Sequence, residues 1–124
     1  MSGISGRSKA KLIAEAAREL LAEDIVALDV RKAVSFADTF IVATGRSDRH
    51  VRSIGDAIAE ALAKKGEKPL GIEGYEEGRW LLMDLGDVIV HVFQPDVRRH
   101  YDLERLWSEA TPFNVVSPAA RKRL

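Results

Sequence analysis

The run Thr39–Thr44, TFIVAT, constrains this chain more than any other stretch. It is nearly continuous in apolar and β-branched residues, which suits a central strand covered on both faces rather than a half-solvated one. Material must therefore lie on each side of it. Gly45 ends the run, and Ser47 is a natural N-cap for a following helix. Val51, Ile54, Ile58 and Leu62 line one face of that helix, while Asp48, Arg52, Asp56, Glu60 and Lys64 step by four along another. Gly66 and Pro69 supply the stop chemistry. A strand near Leu70 then completes a βαβ-type crossover.

Around this unit the patterning predicts a helix from Ser8 to about Ala22, carried by Leu12, Ile13, Ala16, Ala17, Leu20 and Leu21. Ile25–Val30 reads as a strand. Arg79–Asp84 and Asp87–Phe93 read as a hairpin turning at Leu85-Gly86, followed by short helical turns from Pro95 and near Asp102. The expected fold is α/β, a mixed sheet with helices packed on it. Residues 1–7 are expected to be disordered, 8–107 to form one domain, and 108–124 to be a loosely held tail.

If Asp84 and Asp87 flank the turn, Met83 faces Val88, Leu82 faces Ile89, and Trp80 faces His91. Alternation then gives an apolar face of Leu81, Met83, Val88, Val90 and Val92. The other face carries Trp80, Leu82, Ile89 and His91, with the two Asp at its end. Either a second layer covers this mixed face or it is an interface with an aromatic anchor. Between Leu70 and Val90 five acids (Glu73, Glu76, Glu77, Asp84, Asp87) meet one base, Arg79, a local charge of −4. The whole chain balances 19 Lys+Arg against 19 Asp+Glu. The negative patch is thus local, and it suits a basic partner rather than nucleic acid.

Catalytic chemistry finds little support. There is no Cys, so thiolate metal sites and a Cys nucleophile are excluded. His50, His91 and His100 show no metal-binding spacing, and a lone strand His such as His91 is expected to be structural or interfacial. Gly45-Arg46-Ser47 resembles the phosphate-facing turn of nucleotidyltransferases. Those enzymes need paired carboxylates on a strand. The only Asp-x-Glu triplet, Asp102-Leu103-Glu104, falls in a predicted helix, where residues two apart diverge. No catalytic residue, metal or cofactor is expected. No apolar run reaches the ~20 residues of a membrane span, and the N-terminus is too polar for a secretory signal, so a cytoplasmic protein is expected.

Three segments, SFADTFIVATGRSDRHVRSI (35–54), PLGIEGYEEGRWLLMDLGDVIVHVF (69–93) and YDLERLW (101–107), resemble the ribosomal silencing factor, or Iojap-like, family. Thr39 stands where the family often has Tyr, and Gln94 where it often has His. The resemblance implies a homodimeric fold related to nucleotidyltransferases without their catalytic carboxylates. It also implies binding to the fourteenth protein of the large ribosomal subunit, which blocks joining of the small subunit and represses translation. Carried over by position, the partner-binding set would be Glu73, Trp80, Leu82, Asp84, Asp87, His91 and Tyr101. The alternative is a degenerate nucleotidyltransferase-like sensor that holds a nucleotide at Gly45–Ser47.

Overall fold

Thr39–Thr44 is buried at all six positions, and so is Val88–Phe93, the strand beside it. The computed structural model describes residues 6–100 and 110–113. In chain order the elements are α1 (Gly6–Glu19), β1 (Glu23–Asp29), β2 (Thr39–Thr44), α2 (Asp48–Ala63), β3 (Gly71–Glu73), β4 (Trp80–Asp84), β5 (Val88–Phe93), α3 (Pro95–His100) and β6 (Thr111–Phe113). The strands form one sheet in the order β3-β4-β5-β2-β1-β6. Among the described strands, β2 and β5 pair in parallel and the other ladders are antiparallel. This is the α/β class with a mixed sheet that the patterning predicts.

Both long helices pack on one face. Ile13, Ala17, Val51, Ile54, Ile58 and Leu62 meet Ile41, Leu81, Met83, Val90 and Val92 in one core cluster. Gly55 lets α2 approach closely, since a Cβ there would lie 2.6 Å from Leu81 Cδ1. The opposite face has its own core of Leu28, Val30, Ala37, Phe40, Val42, Ile89, Phe93 and Val97, with Trp80 and Leu82 packed at its margin. The segment after β1 and the start of α3 therefore cover much of the mixed hairpin face.

The α2 signals act as expected. Ser47 is the N-cap and accepts from His50 N, and Gly66 closes the C-terminus at φ +77 while Glu67 N–H donates to Leu62 O. His50 also ties the helices together. Its Nδ1 accepts from Arg46 N–H at 2.9 Å, so Nε2 carries the proton and donates to Leu20 O at 2.7 Å.

Three differences from expectation stand out. The β4–β5 hairpin closes at a two-residue loop, Gly86-Asp87, with Leu85 N–H donating to Val88 O and Gly86 at φ +89. Pairing is therefore Trp80↔Phe93, Leu82↔His91 and Asp84↔Ile89. Every partner is displaced by two residues from the predicted register, which preserves both faces because side chains alternate with period two. Second, α1 begins at Gly6, within the stretch expected to be disordered. Third, Thr111–Phe113, assigned to a loose tail, forms an edge strand on β1, where Pro112 is tolerated because an edge strand needs only one row of hydrogen bonds. Phe113 also packs under Arg7, whose guanidinium lies 3.8 Å from the ring centroid. Residues 1–5, the predicted helix near Asp102, Tyr101, Trp107 and the remainder of the tail lie outside the described residues.

Candidate docking site

The acidic loop between β3 and β4 is held in place from two sides. On α2, Asp56 Oδ2 accepts from Tyr75 O–H at 3.1 Å, and Arg52 Nη1 donates to Glu76 O at 3.0 Å. At the end of β5, Gln94 donates through Nε2 to Gly78 O and through its backbone N–H to Arg79 O, each at 2.9 Å. Gly78 is at φ +67, with its would-be Cβ 2.6 Å from the Cβ of Asp48. Any other residue would be strained there, and its Cβ would press on the first turn of α2. Glu76 and Glu77 are exposed on this anchored loop, and Glu73 is exposed at the end of β3.

Beside the loop lies an open groove of about 760 Å³, lined by Glu73, Gly74, Glu77, Arg79, Trp80, Leu82, Asp96 and Val97. Arg79 pairs with Asp96 at 2.7 Å, and its hydrogen bond holds that carboxyl below the usual range. With Arg79 matched in this way, the charge excess of the lining comes from Glu73 and Glu77. The groove combines an acidic rim with an apolar floor of Trp80, Leu82 and Val97. A cationic, partly apolar segment of a partner has the complementary chemistry.

Trp80 is half-buried and anchored in an aromatic stack. Its ring lies 4.9 Å from Phe93, its cross-strand partner, and its Nε1–H donates to His91 Nδ1 at 3.2 Å. His91 is only 9% exposed, parallel to Phe93 at 5.7 Å and edge-on to Phe40 at 4.8 Å. Burial pushes its pKa down to about 4, so the ring is neutral at pH 7. Because Nδ1 accepts, the proton sits on Nε2, which has no hydrogen-bond partner among the described residues.

The structure thus brings Glu73, Trp80 and Leu82 to one groove, with His91 behind the Trp. Asp84 shares the Trp80 face by alternation, but its Oδ1 accepts from Gly86 N–H at 2.8 Å and shapes the turn. Asp87 parts from the set. Its Oδ1 lies 2.9 Å from Lys9 Nζ on α1, and the same ammonium lies 3.2 Å from Glu67. Burial pulls the pKa of Lys9 down, but the hydrogen bonds to Asp87 and Glu67 outweigh it and the net shift is upward. The Asp87 carbonyl accepts from Asp38 and Thr39 as well. The two turn carboxylates therefore differ in role: Asp84 shapes the turn, and Asp87 ties the hairpin to the helical layer. Tyr101 lies outside the described residues. The partner-binding set carried over by position omits four lining residues: Asp96 and Val97, and Glu77 and Arg79, which the acidic stretch already contained.

The turn Gly45–Ser47 is already occupied by its own chain. Arg46 N–H donates to His50 Nδ1, His50 N–H to Ser47 Oγ, and Arg49 N–H to Asp48 Oδ1. The N–H groups of Gly45, Arg46, Arg49 and His50 are thus engaged within the chain, and Gly45 is pressed against Val51. Among the described residues no three His, Asp or Glu side chains cluster for a metal, and no helix is long and apolar enough to cross a membrane.

Comparison with known proteins converges on one family. The family described as "Ribosomal silencing factor during starvation" matches residues 4–123. A ribosomal silencing factor from Chromobacterium violaceum is 41% identical over 109 residues, 88% of this chain and 89% of that protein. One from Bacillus subtilis is 42% identical over 104 residues, 84% of this chain and 88% of its own length. A crystal structure of a Chromobacterium violaceum protein superposes with a TM-score of 0.82 at 39% identity, covering 94% of this chain and 97% of that one.

Proposed function

This chain belongs to the ribosomal silencing factor family, and from that premise we propose that it binds the large ribosomal subunit through its fourteenth protein and sterically blocks joining of the small subunit. The observation that carries this reading is the acidic groove beside Trp80, placed within a near-complete family match. Ribosomal proteins are generally basic, so Glu73 and Glu77 at the rim would steer the encounter while Trp80 and Leu82 supply the desolvated contact. Tyr101 completes the contact set. Asp84 contributes by shaping the adjoining turn, Asp87 by fixing the hairpin to α1, and His91 by its contact with Trp80. The chain acts in the cytoplasm, where ribosomes join, and works as a steric block rather than as an enzyme.

In its free form the chain is proposed to be a symmetric homodimer, the commonest assembly. Light scattering at micromolar concentration should give twice the chain mass; monomer alone would remove this part of the proposal.

Cosedimentation with purified subunits tests the partner. The chain should pellet with large subunits and remain in solution with small ones. Trp80→Ala should weaken binding by about 2–4 kcal/mol, or ~30- to 1000-fold, mainly through faster dissociation. Glu73→Lys with Glu77→Lys should act instead on association rate and salt dependence. Equal pelleting with both subunits would reject the proposed partner.

A further inference from the structure

We infer that His91 is a positioning residue for Trp80: it accepts the indole N–H from behind, fixes which edge of the ring meets the partner, and touches no partner itself. This inference rests on the docking reading above and adds a division of labour within it. His91 is buried behind the hairpin face and does not line the groove, whereas Trp80 does. Its ring is clamped by Phe93 in parallel and by Phe40 edge-on, so Nδ1 is presented in one direction. Trp80 Nε1–H, a group that can only donate, lies 3.2 Å from that nitrogen.

The consequence is preorganisation. An indole packed 4.9 Å from Phe93 could retain much of that contact after a half-turn about its side-chain axis. The turned ring would put its benzene edge where the N–H now points. The bond to His91 separates these two orientations. A partner that docks on an already oriented ring loses less conformational freedom on binding. The neutral imidazole is essential, because a doubly protonated ring offers no acceptor.

The experiment separates positioning from direct contact and from general stability. His91→Phe keeps a ring of similar size and loses the acceptor, His91→Gln keeps an acceptor, and Trp80→Phe loses the donor. In the free protein, the Trp80 indole N–H resonance, assigned by its loss in Trp80→Phe, should shift in His91→Phe and return toward its original position in His91→Gln. Binding to purified large subunits should weaken ~3- to 10-fold in His91→Phe and recover in His91→Gln. On a Trp80→Phe background, adding His91→Phe should change affinity less than about 2-fold, because the interaction is already gone. An equal loss on both backgrounds would mean that His91 acts without Trp80 and would overturn the inference. So would an unmoved indole resonance in His91→Phe. If Trp80→Ala itself leaves binding intact, the docking reading fails instead, and the resonance alone decides whether His91 orients the ring.

Discussion

Replacing Asp87 should damage the fold before it damages any interface. Lys9 is 4% exposed and has two carboxylate partners, Asp87 at 2.9 Å and Glu67 at 3.2 Å. Removing a partner from a fully buried pair costs ~3–5 kcal/mol. Two features reduce that figure here. Glu67 remains beside the ammonium, and the Asp87 side chain is 39% exposed, so water screens part of the interaction. Asp87→Asn should therefore cost about 1–2 kcal/mol. For a domain of this size that lowers Tm by ~4–10 °C in a thermal melt followed by circular dichroism. Asp87→Lys should be worse, because it sets a second ammonium against Lys9. Asp84→Asn retains an oxygen to accept the Gly86 N–H and should stay within about 0.5 kcal/mol. The ordering Asp87→Lys, Asp87→Asn, Asp84→Asn is the test. A melt of Asp87→Asn within ~1 °C of the parent would show that Lys9 does not depend on this contact. The same network sets an alkaline limit. The pKa of Lys9 is raised above 10.5, so its contribution is fully present below pH 10.5 and is lost only as pH rises through the higher folded value.

Two other outcomes follow from the geometry. The His91 pKa falls from 6.5 to about 4 on folding, so the unfolded chain binds more protons between those values and stability should drop as pH falls through that window. The loss approaches an order of 3 kcal/mol near pH 4 and should be absent from His91→Phe, as urea titrations across the range would measure. Gly78→Ala should destabilise the β3–β4 loop by ~1–3 kcal/mol, since its φ of +67 and its contact with Asp48 both oppose a Cβ; a melt indistinguishable from the parent would show that the loop can be seated another way.

Local chemistry reported the elements, while pairing details escaped it. Ser47 and Gly66 bounded α2 because caps depend on a few neighbouring residues, and the apolar continuity of Thr39–Thr44 reported burial from both sides. Hairpin register depends on where the turn closes. The sequence Asp84-Leu85-Gly86-Asp87 permits closure at more than one place, and the competing choice moved every partner by two residues. The even displacement left Trp80, Leu82 and His91 correctly on one face, yet it hid the Trp80–Phe93 pair. Lys9 illustrates a further limit. On helical spacing alone it looks like a solvated residue of α1, and only the tertiary approach of Glu67 and Asp87 explains its burial. The strand at Thr111–Phe113 was obscured because Pro reads as a breaker until its strand is known to lie at an edge.

The central claim is that docking on the large subunit physically prevents the small subunit from joining. Light scattering from purified subunits mixed with and without the saturating full chain measures this directly. Large subunits preincubated with the chain should show a reduced extent of joining, restored when Trp80→Ala is used at the same concentration. Joining to the full extent on large subunits shown by sedimentation to carry the bound chain would contradict the claim, because the chain would then occupy the subunit without blocking its partner.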